Sequence, residues 1–555
     1  MKKNLLRFSS LALAALLVTS SLMGCQKNSQ EKGTNSTAAT SKNTDAQKPK
    51  EATVSYLHCW NGGGSTAPQD IENNVVAQKI REKTGVTVKI QSITTNETEK
   101  LNMIFASGEL PDIINAPYWS SESGEGKVIV KAAKEGMLLA LDGLVDKYPN
   151  VQRGMTQGVA PDFKQFDLEH KDFGGKHYLI PQQTPRSDKD IYNWAYNVFA
   201  RKDILDALKI KPEEITGSEQ VYELLKKIKA GNFKDINGKP VIPGGAWHNG
   251  WSYSQFLASF SKPTMTDFRI IDGKVTHYQM DPLEEKKILF MRKLINEGLF
   301  DPECLTQNDS VAKEKMATGR VAVFGAHYKH QSDFFKSTLY KTNPEMKFVP
   351  LGPMINAAGE PKKTLEMSGR SGFPAMFLSA KTKNADAALR FIDYVNSDEG
   401  LKLVAYGVEG THYTMVNGKP EFTPEWKAKK DKDQRALYDQ GIGFYENFIT
   451  ADPRQSLWNT DAQDADYQIA NQKNPIKFVT GFRASYIARS YPKYQEYKDK
   501  EGILKYDFKN TLFAKTDEEA IAMLNDYRDK LRKAGLDDLC KYIEEEAKKR
   551  NDVIW

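Results

Sequence analysis

The sequence predicts an α/β protein of two lobes built on open sheets. Three observations carry that prediction. Strand-like and helix-like patterns alternate from residue 53 to residue 114. About 505 residues follow the leader and its polar tail, too many for one ordinary core. No segment after residue 25 is long and apolar enough to span a bilayer, so the apolar residues are there to fill cores.

The elements follow in order. Residues 53–60 (TVSYLHCW) read as a strand, closed by the turn Asn61-Gly62-Gly63-Gly64. Residues 69–83 read as a helix ending before Gly85, 86–93 as a second strand and 96–107 as a second helix. A third strand starts in Leu110-Pro111-Asp112-Ile113-Ile114. Ligands of such sheets sit at the carboxyl ends of the strands. Here those ends carry Trp60-Asn61 and Ala116-Pro117-Tyr118-Trp119. Residues 137–150 are amphipathic, and Gly174 to Pro181 read as a strand leading elsewhere. Residues 193–208 read as strand then helix, and 218–230 as a helix with Ser218 as its cap. Residues 284–300 read as a helix, 321–329 and 373–380 as strands, and 384–400 as another helix. The stretch 401–480 is rich in loops and aromatics, and 516–550 is helical with dense i,i+4 charge pairs.

The leader sets the compartment. Lys2, Lys3 and Arg7 form a basic n-region, Leu11–Val18 a short apolar core, and Leu22-Met23-Gly24-Cys25 follows. The core is too short to cross a bilayer, so residues 1–24 read as a cleaved signal. The tetrapeptide resembles a bacterial lipoprotein signal, which implies acylation of Cys25. Each buried methylene contributes roughly 0.8 kcal/mol, so two or three chains hold stably. Residues 25–50 then read as the anchor and a disordered tether, polar and without aromatic or large aliphatic residues. The expected location is the outer face of the cell membrane, held by lipid.

Composition narrows the class. The chain carries +6, and +3 without the three cations of the leader. Basic and acidic residues interleave throughout, which argues against nucleic acid. Cys59, Cys304 and Cys540 make no metal motif; at most one pair could form, and small buried hydrophobes are the simpler reading.

The order of motifs resembles the family 1 extracellular solute-binding proteins, receptors of carbohydrate ABC importers, and above all their large lipoprotein subgroup from Gram-positive bacteria. The resemblance runs over residues 53–550. It rests on Trp60-Asn61-Gly62-Gly63, on Gly108-Glu109-Leu110-Pro111-Asp112-Ile113, and on the segment Leu139–Pro149. It continues through Gly175–Pro181, Ala200–Leu205 and Asn296–Glu303. The most specific block is Asp393–Gly400 followed by Tyr406–Tyr413. The resemblance implies a periplasmic-binding-protein-like (type II) fold, with a hinge and an inter-lobe cleft. It assigns 51–178 and 350–400 to the first lobe, 179–349 to the second, and 401–555 mainly to the second with hinge segments and C-terminal helices. It implies an oligosaccharide ligand, ABC permease partners, a monomer and no enzymatic activity. Many relatives carry a calcium loop where this chain has Asp235-Ile236-Asn237-Gly238-Lys239-Pro240. The alternation of oxygen ligands breaks at Lys239 and Val241, so no metal and no cofactor are expected.

Sugars bind by stacking on aromatic rings and by hydrogen bonds from their hydroxyls. The candidate platforms are Trp60, Tyr118, Trp119, Trp194, Trp247, Trp251 and Tyr328. The candidate polar contacts are Asn61, His327, Arg370, Glu409 and His412. Each has a plainer reading: a strand-end Trp can be a core lid, Arg370 can pair with a structural carboxylate, and Glu409 and His412 can hold a turn. Two other classes stay open. A glycoside hydrolase would need two carboxylates across a cleft, and no motif singles a pair out. A peptide receptor would need charged partners for chain termini. His327 and His330 are spaced for a metal, but no third ligand is in view.

Overall fold

The computed structural model describes residues 49–555, except 60–69, 94–96, 183–195, 247–250, 263–265, 328–333, 336–337, 362–363, 368–373, 433–434, 446–468, 471 and 505. Apolar residues two apart build the first sheet. Strands β1 (Ala52–His58), β2 (Val86–Ser92) and β3 (Ile113–Ala116) run parallel, with β1 between the other two. The return strand Ala375–Leu378 pairs antiparallel with β3 on one side and with β4 (Leu179–Pro181) on the other. Val54, Tyr56, Ile113, Ile180 and Met376 face one way, onto helix α1 (Val75–Thr84) and helix Ala385–Val395. Leu57, Ile114, Leu179 and Phe377 face the other way, with Leu101 and Phe105 of α2 (Glu97–Ser107) and Ile129 of α3 (Gly124–Lys134). Helices thus cover both faces, as a mostly parallel sheet requires.

Helix α1 begins six residues later than its periodicity suggests. Asn74 accepts a hydrogen bond from the Ala77 backbone N–H and fixes the start. It ends at Gly85, whose φ of +70° suits glycine, and where a Cβ would meet the Lys50 carbonyl at 2.7 Å.

The second sheet has four strands. β5 (Tyr196–Arg201) pairs antiparallel with β9 (Val321–His327) and with β10 (Phe348–Pro350), and β6 (Ile242–Ala246) pairs parallel with β9. A small hairpin, β7 (Phe268–Ile271) with β8 (Lys274–His277), stands apart. Ser218 does not cap its helix. It is the first helical residue, and its hydroxyl donates to the Phe256 carbonyl at 2.7 Å.

Several boundaries differ from the sequence reading. Leu179–Pro181 belongs to the first sheet, so the first lobe runs past residue 178. Leu437, Ile442, Phe444 and Tyr445 lie in the core of the first lobe, so the segment around residues 401–445 packs there and not with the second lobe. The helix expected over 384–400 is two helices, Ala385–Val395 and Asp398–Tyr406, because Ser397 caps the second through the Gly400 N–H. The C-terminal run likewise breaks, at Gly535, into Asp517–Ala534 and Leu536–Ala547. The three cysteines Cys59, Cys304 and Cys540 are buried. Among the described residues no helix is long and apolar enough to cross a membrane.

Residues 482–554 hold both lobes. Toward the first lobe, Asp162 and Asp167 are wholly buried. Arg483 meets Asp162 at 2.6 Å, and Arg489 meets Asp167 at 3.1 Å. Toward the second lobe, buried Arg292 donates to three carbonyls between Thr511 and Ala514, and Arg528 donates to the Gln279 and Asp281 carbonyls. A buried charge without its partner is far costlier than a surface one. Asp167→Ala should therefore lower stability by about 3–5 kcal/mol. Lys530→Ala, which removes an exposed pair, should leave the urea midpoint unchanged.

His277 predicts acid sensitivity. Its ring is buried between Phe268 and Tyr278, and burial pushes its pKa down to about 3. The unfolded chain takes up this proton near pH 6.5 and the folded chain only near pH 3. The contribution is thus complete above pH 6.5 and is lost as the pH falls toward 3. Each unit of pH costs about 1.4 kcal/mol in that window. Urea midpoints of the parent against His277→Gln, measured from pH 7 to pH 4, should show a flatter slope for the variant.

Candidate ligand cleft

The carboxyl edges of the two sheets set the candidate positions. In the first lobe β1 ends at His58 and β3 at Ala116, while the return strand begins at Ala375. In the second lobe β6 ends at Ala246, β9 ends at His327, and β5 begins at Tyr196, directly opposite His327 in the ladder. Trp60, Asn61, Trp194, Trp247, Tyr328 and Arg370 lie outside the described residues. Trp251 opens the helical segment Trp251–Phe260, which packs over β9. The approach is so close there that a Cβ at Gly325 would fall 2.2 Å from the Ser252 carbonyl. The backbone of Trp251 is thereby brought beside the strand that ends at His327.

Tyr118 and Trp119 are neighbours with opposite fates. Tyr118 is fully buried, edge-on to Phe163 and Phe377, and its hydroxyl donates to the Asp167 carbonyl at 3.2 Å. Its ring is a core residue and presents no face to a ligand, contrary to the sequence reading. Trp119 is 49 % exposed. Two residues on, the Ser121 N–H and hydroxyl both donate to Asp167 Oδ1 at 2.8 Å. Trp119 is therefore held outward by fixed residues on either side.

Glu409 and His412 occupy a turn. His412 is buried, its Nδ1 accepts from the Val408 N–H at 3.1 Å, and its ring lies 4.6 Å from that of Trp426. Burial pushes its pKa down. Glu409 Oε2 accepts from the Tyr413 hydroxyl at 3.5 Å. Gly407, at φ +84°, lets the chain turn, because a Cβ there would meet Ile442 at 2.6 Å and the His412 ring at 2.8 Å. The structure uses both polar candidates to build this turn.

Asp235 serves its own loop. One carboxylate oxygen accepts from the Asn237 and Lys239 N–H groups at 2.8 and 2.9 Å. Among the described residues no three His, Cys, Asp or Glu side chains come together as a metal would require.

The sequence reading missed three residues at the edge of the first sheet. His58 and Asn115 are buried polar side chains near the carboxyl ends of β1 and β3, and Gln182 is one just after β4. Asn115 Nδ2 donates to Gln182 Oε1. The available signal was their polarity inside the runs SYLHCW, IINA and LIPQ.

Comparison with known proteins places this architecture. The chain is 23 % identical over 339 residues to the polygalacturonan/rhamnogalacturonan-binding protein YtcQ of Bacillus subtilis, covering 60 % of this chain and 62 % of that one. It is 23 % identical over 338 residues to the fructooligosaccharide ABC transporter substrate-binding protein FusA of Streptococcus pneumoniae, covering 59 % and 58 %. These matches thus span about three fifths of each relative. The fold is similar to that of the alginate-binding protein AlgQ2 without calcium ion, with a TM-score of 0.58 and 21 % identity over 89 % of this chain and 99 % of that one. It is also similar to FusA in complex with kestose, with a TM-score of 0.58 and 17 % identity over 90 % and 100 %. These structures have the two-lobe fold of solute-binding proteins. The family model described as bacterial extracellular solute-binding protein matches residues 63–402, more than half of the chain, and the protein belongs to that family.

Proposed function

We propose that the protein is a lipid-anchored receptor on the outer face of a bacterial membrane, which captures an oligosaccharide and delivers it to an ABC permease. The observation that carries the reading is Trp119. A half-exposed indole, pinned on both sides at the carboxyl edge of a sheet, is a stacking platform for the C–H face of a sugar. Family membership supports a binding role, and the names of two relatives, YtcQ and FusA, point to glycans. The leader ending at Cys25 supports an anchor, and a further relative carries the name lipoprotein LipO. Tethering raises the concentration of loaded receptor near a permease in the same bilayer.

A thermal-shift screen of the mature chain against neutral and acidic oligosaccharides tests the reading. A true ligand at 100 times its dissociation constant should add about 2.7 kcal/mol of stability, and no shift with any glycan would overturn the proposal. Trp119→Ala should weaken the identified ligand by about fivefold, equivalent to about 1 kcal/mol of ring stacking. Tyr118→Phe should leave affinity intact and lower only stability, by about 1 kcal/mol for one hydrogen bond. Cys25→Ala should still bind ligand but be recovered from the medium, with poor uptake; normal uptake would break the link to the anchor.

A further inference from the structure

His58, Asn115 and Gln182 form a polar group where apolar residues are the rule. His58 ends β1, Asn115 stands opposite it on β3, and Gln182 follows β4. Tyr56, Ile113 and Ile180, two residues before each, all face the same core, so the three polar side chains share one sheet face. They are 1 %, 0 % and 7 % exposed. Asn115 Nδ2 donates to Gln182 Oε1, and His58 lies against Asn115. The contact between His58 and Asn115 is at best a poorly aligned hydrogen bond, so among the described residues neither ring nitrogen of His58 nor Asn115 Oδ1 has a well-aligned partner. Buried groups left in that condition are rare and call for a partner.

The chemistry that these groups would accept is specific. Burial holds the His58 pKa down at about 4, so the ring is neutral, with one donor and one acceptor. No charged side chain contributes to that shift. A hydroxyl both donates and accepts, so it suits a neutral imidazole and an amide oxygen together. A carboxylate only accepts and would face the Asn115 oxygen, and among the described residues no charged side chain acts on His58.

We propose that His58, Asn115 and Gln182 read a hydroxyl of the ligand at the first-lobe edge of the cleft, and that this position takes a neutral sugar unit in preference to a uronate. The inference rests on the receptor reading above and narrows its substrate class.

Calorimetric titration of the mature chain with kestose, nystose, maltotriose, xylotriose and trigalacturonate tests it. The parent binds at least one neutral member. His58→Ala and Asn115→Ala weaken that ligand at least tenfold, beyond any change in the melting temperature of the free protein. Gln182→Glu, which keeps the shape and adds a charge, also weakens it at least tenfold and decides the matter if the alanine variants do not fold. Unchanged dissociation constants with lowered melting temperatures would overturn the inference alone, and would make the group a structural one served by internal water. Binding of trigalacturonate only would overturn the neutral preference. A parent that binds no member would overturn the receptor reading and this inference with it.

Discussion

The carboxylate of Asp167 is the point on which the candidate site depends. It is wholly buried, and an isolated charge there would be prohibitively costly. Four donors compensate it: the Ser121 N–H and hydroxyl, the Tyr486 hydroxyl at 2.6 Å, and Arg489 at 3.1 Å. Arg489 also donates to the Ser121 hydroxyl and the Phe166 carbonyl. Because the carboxylate needs all of these groups in one place, the segment Tyr118–Ser121 has one position. Trp119 inherits that position, and its outward ring is a by-product of satisfying a buried charge.

The same carboxylate ties the C-terminal helices to the first lobe, and the second lobe answers with its own clamps. Arg292 and Arg528 are each buried and each donates to backbone carbonyls across the contact. Guanidinium groups suit this role, since one rigid fork meets several acceptors at once. The C-terminal unit is thus fastened on both sides. Hinge closure in a two-lobe receptor works through small changes at a few connecting residues. Such changes are expected where buried ion pairs are not broken, and not between Asp167 and Arg489.

Much of the fold was legible because burial writes a period into the sequence. The alternation in 53–58 and 86–92 marks β1 and β2, and the spacing of three and four marks helix Ser218–Ala230. Boundaries were less legible where a side chain had two uses. Ser218 looks like a cap but donates to Phe256, while Ser397 looks like an interior residue of one long helix but starts a new one. At the site, residue type identified aromatic candidates but not their direction. Tyr118 and Trp119 are adjacent and equally plausible from sequence; only the packing of Phe163 and Phe377 shows which turns inward. The lobe assignment of residues near 440 was likewise hidden, because it depends on packing against residues far back in the chain, among them Val76, Ile80 and Leu389.

His58, Asn115 and Gln182 show the complementary limit. Sequence reasoning looks for ligand contacts among exposed aromatics and charges, since those are anomalous on a surface. A buried polar side chain is equally anomalous, but it resembles an ordinary strand residue until its neighbours are known. Its meaning lies in an unfinished hydrogen-bond count, which needs coordinates. The aromatic platform and the polar edge also answer different questions. Stacking on Trp119 is tolerant of which sugar is present, because most pyranose and furanose rings offer a C–H face. A neutral imidazole beside an amide oxygen is intolerant, because a misplaced hydroxyl leaves both unpaired. Affinity and selectivity would then come from separate residues of one lobe, and each could change without the other.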